Sequence, residues 1–358
     1  MSAIYGALGL NDGDRVFLST LGQQVVYDAV NQVYADFADN VATAQGVFVE
    51  RTTPQYSIKY KLPGGGRMQR KGSQSQAGAV RAAGEWSVAL PLEEFGDAVA
   101  ADRVTYAYMT TQDLDRHVQS VQLRYLNTVR HEMLRALLNN TARPFVDDIH
   151  GDLTIQPLAN GDSVVYPPTL GSETEMGDTH YLVSGYAPGA ISNSNDPYAT
   201  MRDELEEHFG APTGGSNIVC FINPAQRALT GALNDFSEVP QRFVQPGDDT
   251  AQAVGAFANL PGTVLGYVSG VWVAEWRYMP PNYIMAVHMD APCPLLRRED
   301  PVETGLAGGL QLVAESQVYP FTQSHYSARF GYGVGNRLNG VVMELGTGGS
   351  YTIPTAYV

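Results

Sequence analysis

Two cysteines, three tryptophans and three lysines are all that 358 residues hold of these types, and only 16% of the chain is charged. Cys220 in NIVCFIN and Cys293 in DAPCPLL lack metal-ligand spacing and are too few for a disulfide framework, which points to a reducing cytoplasm. No run of about 18 apolar residues exists. The opening MSAIYGALGLNDGDRVF has no basic region leading into an apolar stretch, so neither a membrane span nor a signal peptide is expected. Low charge beside 37 glycines and 21 prolines describes a neutral, loop-rich surface, as in a subunit that buries area against its neighbours. Basic residues number 22 against 37 acids, for a net charge of −15. The bulk surface therefore repels phosphate and is excluded as a nucleic-acid-binding face.

The few lysines are gathered in one place. Lys59, Lys61 and Lys71 all fall in YSIKYKLPGGGRMQRKGSQSQAGAVRAAGEWSVALPL, residues 56–92, and residues 51–84 hold seven of the 22 basic residues and none of the acids. Tyr56, Ile58, Tyr60 and Leu62 alternate with Ser57, Lys59 and Lys61. Trp86, Val88, Leu90 and Leu92 then alternate with polar or small residues after Glu85. This predicts a long β-hairpin arm whose glycine-rich tip carries Arg67, Arg70, Lys71 and Arg81. Tyr and Trp lie in the strands rather than among the tip charges, so base stacking is not indicated. An acidic surface on an identical subunit is the economical partner.

Around the arm, Leu21, Val25, Ala29, Val33, Phe37 and Val41 form a helical stripe over 21–43. A helix of about 30 residues is expected over 110–140, opened by a Thr110–Asp113 capping box and striped by Leu114, Val118, Val121, Tyr125, Val129, Met133 and Leu137. DLTIQPL and DSVVYPP read as strands joined at Asn160-Gly161. NDPYATMRDELEEHFG reads as a helix capped by Asp196, with Tyr198, Met201, Leu205 and Phe209 inward and Gly210 closing it. Ile218 to Ile222 is a buried strand that turns through Asn223-Pro224 into a helix, and from Val264 onward the chain is strand-rich. The fold class is α+β.

Enzymatic motifs are missing. HEMLR at His131 offers His-Glu but has Arg135 where a second ligand belongs. FGYGVGN lacks the third glycine of a dinucleotide loop and too little chain follows it, so Gly331, Gly333 and Gly335 are expected to allow close sheet packing. Neither a nucleophile elbow nor a phosphate loop is present. Carboxylate pairs such as Asp147 with Asp148, Glu206 with Glu207 and Asp248 with Asp249 read as solvated faces, and His180, His208, His288 and His325 are scattered through different elements. No catalytic, cofactor-binding or metal-binding residue is expected.

Taken in order, the N-terminal arm, long hairpin, long helix, strand-rich platform and compact α/β unit with IVCFINPAQRAL resemble the Hong Kong 97-type major capsid proteins of tailed phages. GTVLGYVSGVWVAEWRYMPPNYIMAVHMD looks like that family's glycine-punctuated strand, proline-bearing turn and following strand. LLRRED and SARFGYGVGNRLNGVVMEL look like its later strands, and the likeness spans essentially the whole chain.

The resemblance implies an N-terminal arm over 1–49, an extended loop over 50–96 and a peripheral domain with its spine helix over 97–178. A mainly axial domain over 179–297 and C-terminal strands over 298–358, returning to the peripheral and axial domains, complete it. In that family the extended loop lies over a neighbouring subunit. Lys59, Lys61, Arg67, Arg70, Lys71, Arg81, Tyr56 and Trp86 are accordingly the expected inter-subunit contacts.

The implied partner is the chain itself, in hexamers and pentamers of an icosahedral head assembled in the host cytoplasm. Separate scaffolding, portal and possible decoration proteins, and enclosed double-stranded DNA bound without sequence specificity, complete the expected set; no membrane is involved. Some members weld the shell through a lysine–asparagine bond. Here VYPFTQSHYSARF offers Gln323 where the acceptor is expected, with Asn336 and Asn339 further along, so self-cross-linking is not expected. About 50 residues precede the loop, which implies a separate scaffold or none, without cleavage. Two other readings stand: an encapsulin shell of the same fold, and, from another class, a carbohydrate-binding β-rich protein.

Overall fold

The computed structural model describes residues 28–34, 36–37, 41, 45–61, 68, 85–102, 110–209, 217–239, 261–306, 309–318 and 321–358. They form two compact units. The first comprises the described residues up to Thr43 with Leu92–Glu132 and Glu299–Gly331; the second comprises Ala44–Pro91, Met133–Arg298 and Tyr332–Val358. Mixed helix and sheet bear out the α+β class. No described helix is long and apolar enough to cross a membrane.

In the first unit, β15 (Phe321–Val334) runs antiparallel to both β4 (Glu93–Asp102) and β14 (Gln311–Val318). Helix α1 (Thr111–Leu138, 28 residues) would measure about 42 Å at 1.5 Å per residue, and contributes to both units. Its start is the capping box the sequence shows: Thr110 N donates to Asp113 Oδ2 at 3.2 Å and Asp113 N to Thr110 Oγ1 at 3.4 Å. Val118, Val121, Tyr125, Val129, Met133 and Leu137 are buried as expected, and Leu134 and Leu138 widen the stripe. Within this unit Phe330 packs on Phe95 and Tyr125, with ring centroids 4.8 and 5.7 Å away. We expect Thr110→Ala to cost about 1 kcal/mol, read as a lower urea midpoint at unchanged slope.

The N-terminal helical residues correct one register. Val30, Tyr34 and Val41 are buried while Ala29 is exposed, so the inward stripe follows a 3.6-residue repeat rather than strict steps of four. Leu21 and Val25 lie outside the described residues.

The second unit is built on a seven-stranded sheet in the order β7-β16-β12-β8-β11-β10-β9. Its strands are β7 (Tyr181–Val183), β8 (Ile218–Ile222), β9 (Ser237–Glu238), β10 (Thr263–Val268), β11 (Val271–Glu275), β12 (Tyr283–His288) and β16 (Val341–Glu344). The unbroken apolar run of β8 is buried at every position, as suits a central strand covered on both faces. Helix α2 (Pro197–Phe209) lays Tyr198, Met201 and Leu205 on that sheet, and Asp196 Oδ1 caps it by accepting from Tyr198 N at 2.9 Å. β10 and β11 close through Ser269 and Gly270, with φ of +48° and +93°, the two positive values that a type I′ hairpin turn demands. Asn223 caps as expected, accepting from Ala225 N at 3.0 Å, but the helix it leads into is one turn, Arg227–Thr230.

DLTIQPL does not pair with DSVVYPP. β6 (Gly151–Ile155) instead pairs antiparallel with the preceding β5 (Arg143–Asp147). The physical reason is the tighter turn at Asp147, whose Oδ1 accepts from both Ile149 N and His150 N at 2.9 Å, followed by Gly151 at φ +75°. Gly161 does turn the chain, at φ +74°, but into an isolated bridge between Asn160 and Thr179.

Candidate functional site

The basic arm starts as the sequence predicts. β2 (Ser57–Lys61) and β3 (Glu85–Ala89) pair antiparallel, Ile58 opposite Val88, Lys59 opposite Ser87, Tyr60 opposite Trp86 and Lys61 opposite Glu85. Alternation puts Tyr60, Trp86, Ile58 and Val88 on one face and Lys59, Ser87 and Glu85 on the other. Lys59 is exposed. Arg67, Arg70, Lys71 and Arg81 lie outside the described residues.

The apolar face packs on the chain's own core, where Trp86, expected among the inter-subunit contacts, is largely buried. Trp86 is 8% exposed, with Tyr60 and Tyr166 ring centroids each 5.4 Å from its own. Val88 and Leu90 join the same cluster with Ala159, Leu296 and Leu338. Tyr56, 41% exposed, stacks on His150 at 3.8 Å. Gly333 and Gly335 of FGYGVGN perform the packing role expected of them. A Cβ on Gly333 would lie 2.9 Å from Ala89 O and 2.5 Å from Leu90, and one on Gly335 would lie 2.7 Å from Leu296.

Two buried arginines, which no sequence pattern marks, lock this root. Arg298 Nη1 donates to Asp147 Oδ2 at 2.7 Å and to Leu90 O at 2.8 Å, joining the base of β3 to the β5–β6 turn. Burial opposes ionisation of Asp147, but the amides of His150 and Ile149 and the Arg298 guanidinium together hold its carboxyl below the usual range. Arg337, fully buried, donates to Pro157 O at 2.8 Å and Asp162 Oδ2 at 2.8 Å, and its guanidinium lies 5.8 Å from the Tyr166 ring centroid. The hairpin therefore springs from a fixed base and presents its polar face outward.

A second constellation lies in the same unit, where the sequence reading had the histidines scattered. His180 Nε2 and His208 Nε2 each lie 2.8 Å from Asp178 Oδ2, and Glu207 Oε1 lies 3.4 Å from His208 Nε2. Burial opposes ionisation of Asp178, yet the two imidazoles hold its carboxyl well below the usual range, while burial pushes the nearby Glu204 up to about 7. Glu204, Glu207 and His208 stand at i, i+3 and i+4, one face of α2, which is the signal that spacing could have supplied.

No protein-family model and no curated protein matches the sequence. Solved structures do match. A chain of Mycobacterium phage Patience aligns with a TM-score of 0.67 at 19% identity, covering 96% of this chain and 94% of that one. A chain of the capsid of the cyanophage P-SCSP1u aligns at 0.49 and 11% identity over 84% and 86%, and one of a native GTA particle capsid at 0.48 and 14% over 85% and 90%. The end-to-end alignment gives this chain the Hong Kong 97-type fold.

Proposed function

We propose that the chain is the major capsid protein of a tailed double-stranded DNA phage, assembling with copies of itself into an icosahedral head. The observation that carries this reading is the end-to-end match of its fold to a phage chain over 96% of its length. The mapping of extended loop, peripheral and axial domains onto 50–96, 97–178 and 179–297 belongs to the same proposal, as do hexamers and pentamers, a portal, a separate scaffold and assembly in the host cytoplasm.

The physics is that of repeated weak binding. An exposed ion pair is worth about 0–1 kcal/mol, but a closed shell repeats it in every subunit and makes each further contact intramolecular. Lys59 and the basic tip supply one partner and the remaining acidic surface of another copy supplies the other. A net charge of −15 also keeps enclosed DNA from adhering to the wall.

Electron microscopy and sedimentation velocity on the chain expressed alone test the reading. Closed shells or capsomer rings are expected, and denatured particles should show monomer mass by mass spectrometry, since no lysine–asparagine weld is expected. A chain that stays monomeric alone and with the product of a neighbouring scaffold gene would overturn it.

A further inference from the structure

We propose that Asp178, His180 and His208 form a divalent transition-metal site, with Glu207 on its open side, and that zinc is the ion its donors fit. This inference goes beyond assembly and is independent of it. His180 is fully buried and its Nδ1 lies 2.9 Å from the carbonyl oxygen of Gly340. A carbonyl only accepts, so Nδ1 carries the hydrogen. Nε2, on the other side of the ring, lies 2.8 Å from Asp178 Oδ2 yet makes no hydrogen bond, so this fully buried nitrogen is left to face the cluster without a donor or acceptor of its own. A metal ion shared by Nε2 and the carboxylate would satisfy both atoms. His208 Nε2 aims at the same carboxylate oxygen.

The surroundings are those of a ligand set. Asp178 Oδ1 accepts from Thr179 N at 2.7 Å, which turns Oδ2 toward the imidazoles. The bond from His180 Nδ1 to a backbone carbonyl is the outer contact that orients metal-binding histidines and leaves Nε2 to ligate. Backbone bonds from His180 N to Ala159 O and from Gly161 N to Asp178 O, both 2.8 Å, hold the strand in place. The donor atoms of Asp178, His180 and His208 lie within 4.8 Å of one another. Bonds of about 2.0–2.2 Å to a tetrahedral zinc space donors at about 3.3 Å, so a small spreading admits the ion. Two imidazoles and a carboxylate select zinc, cobalt or nickel over magnesium and calcium. Bound there, the ion ties the end of α2 to the segment that carries Tyr166, and so to the wall on which Trp86 rests.

The test uses the untagged full chain, dialysed against chelator and titrated with Co²⁺ and then Zn²⁺. One Co²⁺ per subunit is expected, with intense visible bands of a tetrahedral ion that Zn²⁺ abolishes and Mg²⁺ leaves unchanged. His208→Gln should weaken binding by more than about 100-fold, beyond what loss of an outer-shell partner causes. Far-UV circular dichroism checks that the variant folds. If it does not, thermal unfolding of the wild-type chain decides: a Zn²⁺-dependent rise in Tm that Mg²⁺ does not reproduce is expected. Tetrahedral binding retained in the folded His208→Gln chain, or a wild-type Tm indifferent to Zn²⁺, would overturn the proposal.

Discussion

Reversing Lys59, Lys61, Arg67, Arg70 and Lys71 to glutamate leaves the subunit folded and reduces shells to free subunits or capsomers. Folding survives because Lys59 points away from the cluster that anchors the arm, whose members are Trp86, Val88, Leu90 and Tyr166. Assembly fails because the reversal sets a negative arm on a negative neighbour. Each exposed pair changes by only about 1 kcal/mol, but the change recurs in every subunit and from attraction to repulsion. Sedimentation velocity reads the outcome, and the same experiment at high salt reads the mechanism. Screening of the wild-type arm should loosen assembly, since exposed charges beyond about 10 Å cease to interact at 0.1 M salt. Normal shells from the reversed chain would sink the charge-pairing account while leaving the fold untouched.

The largest loss of stability is expected at Asp147. Both side chains of the Asp147–Arg298 pair are 4% exposed, so removing the carboxylate strands a buried guanidinium. Asp147→Ala should cost about 3–5 kcal/mol in urea unfolding, and it also removes the acceptor of the turn that pairs β5 with β6. Asp147→Asn separates these effects by retaining an acceptor oxygen without the charge. The carboxyl is depressed in the folded chain, so its stabilisation is fully present above the unfolded value of about 3.9. It is lost as pH falls through the lower folded value. The difference between wild type and Asp147→Asn should therefore shrink as pH falls below about 4, and a difference independent of pH would mean that the pair's charge contributes nothing.

Much of this architecture was legible locally. The Thr110–Asp113 capping box, the inward stripe of α1, the Asp196 cap and the alternation of Ile58, Tyr60, Trp86 and Val88 depend on neighbours three, four or two residues away. Each is a property of chain period and hydrogen-bond geometry. What spacing could not tell was which apolar face meets which partner. Trp86 and Val88 alternate correctly whether they cover a neighbour or their own core, and only the return of Tyr166, Leu296 and Leu338 to the same place decides for the core.

The cation-bearing and histidine groups were illegible for the same reason. Arg298 reaches Asp147 across 151 positions of chain and Arg337 reaches Asp162 across 175, and both cations are buried where hydropathy expects water. His180 lies just before β7 and His208 on α2, 28 residues apart in the chain, and they meet only in the folded unit. The sequence by itself therefore determined the periods, the caps, the basic arm and the acidic remainder, because these are local or additive properties of composition. Tertiary structure alone decided the β5–β6 pairing, the buried arginine locks, the inward fate of Trp86 and the meeting of Asp178 with two histidines. Those depend on segments distant in the chain, whose side chains acquire partners only when the sheet brings them together.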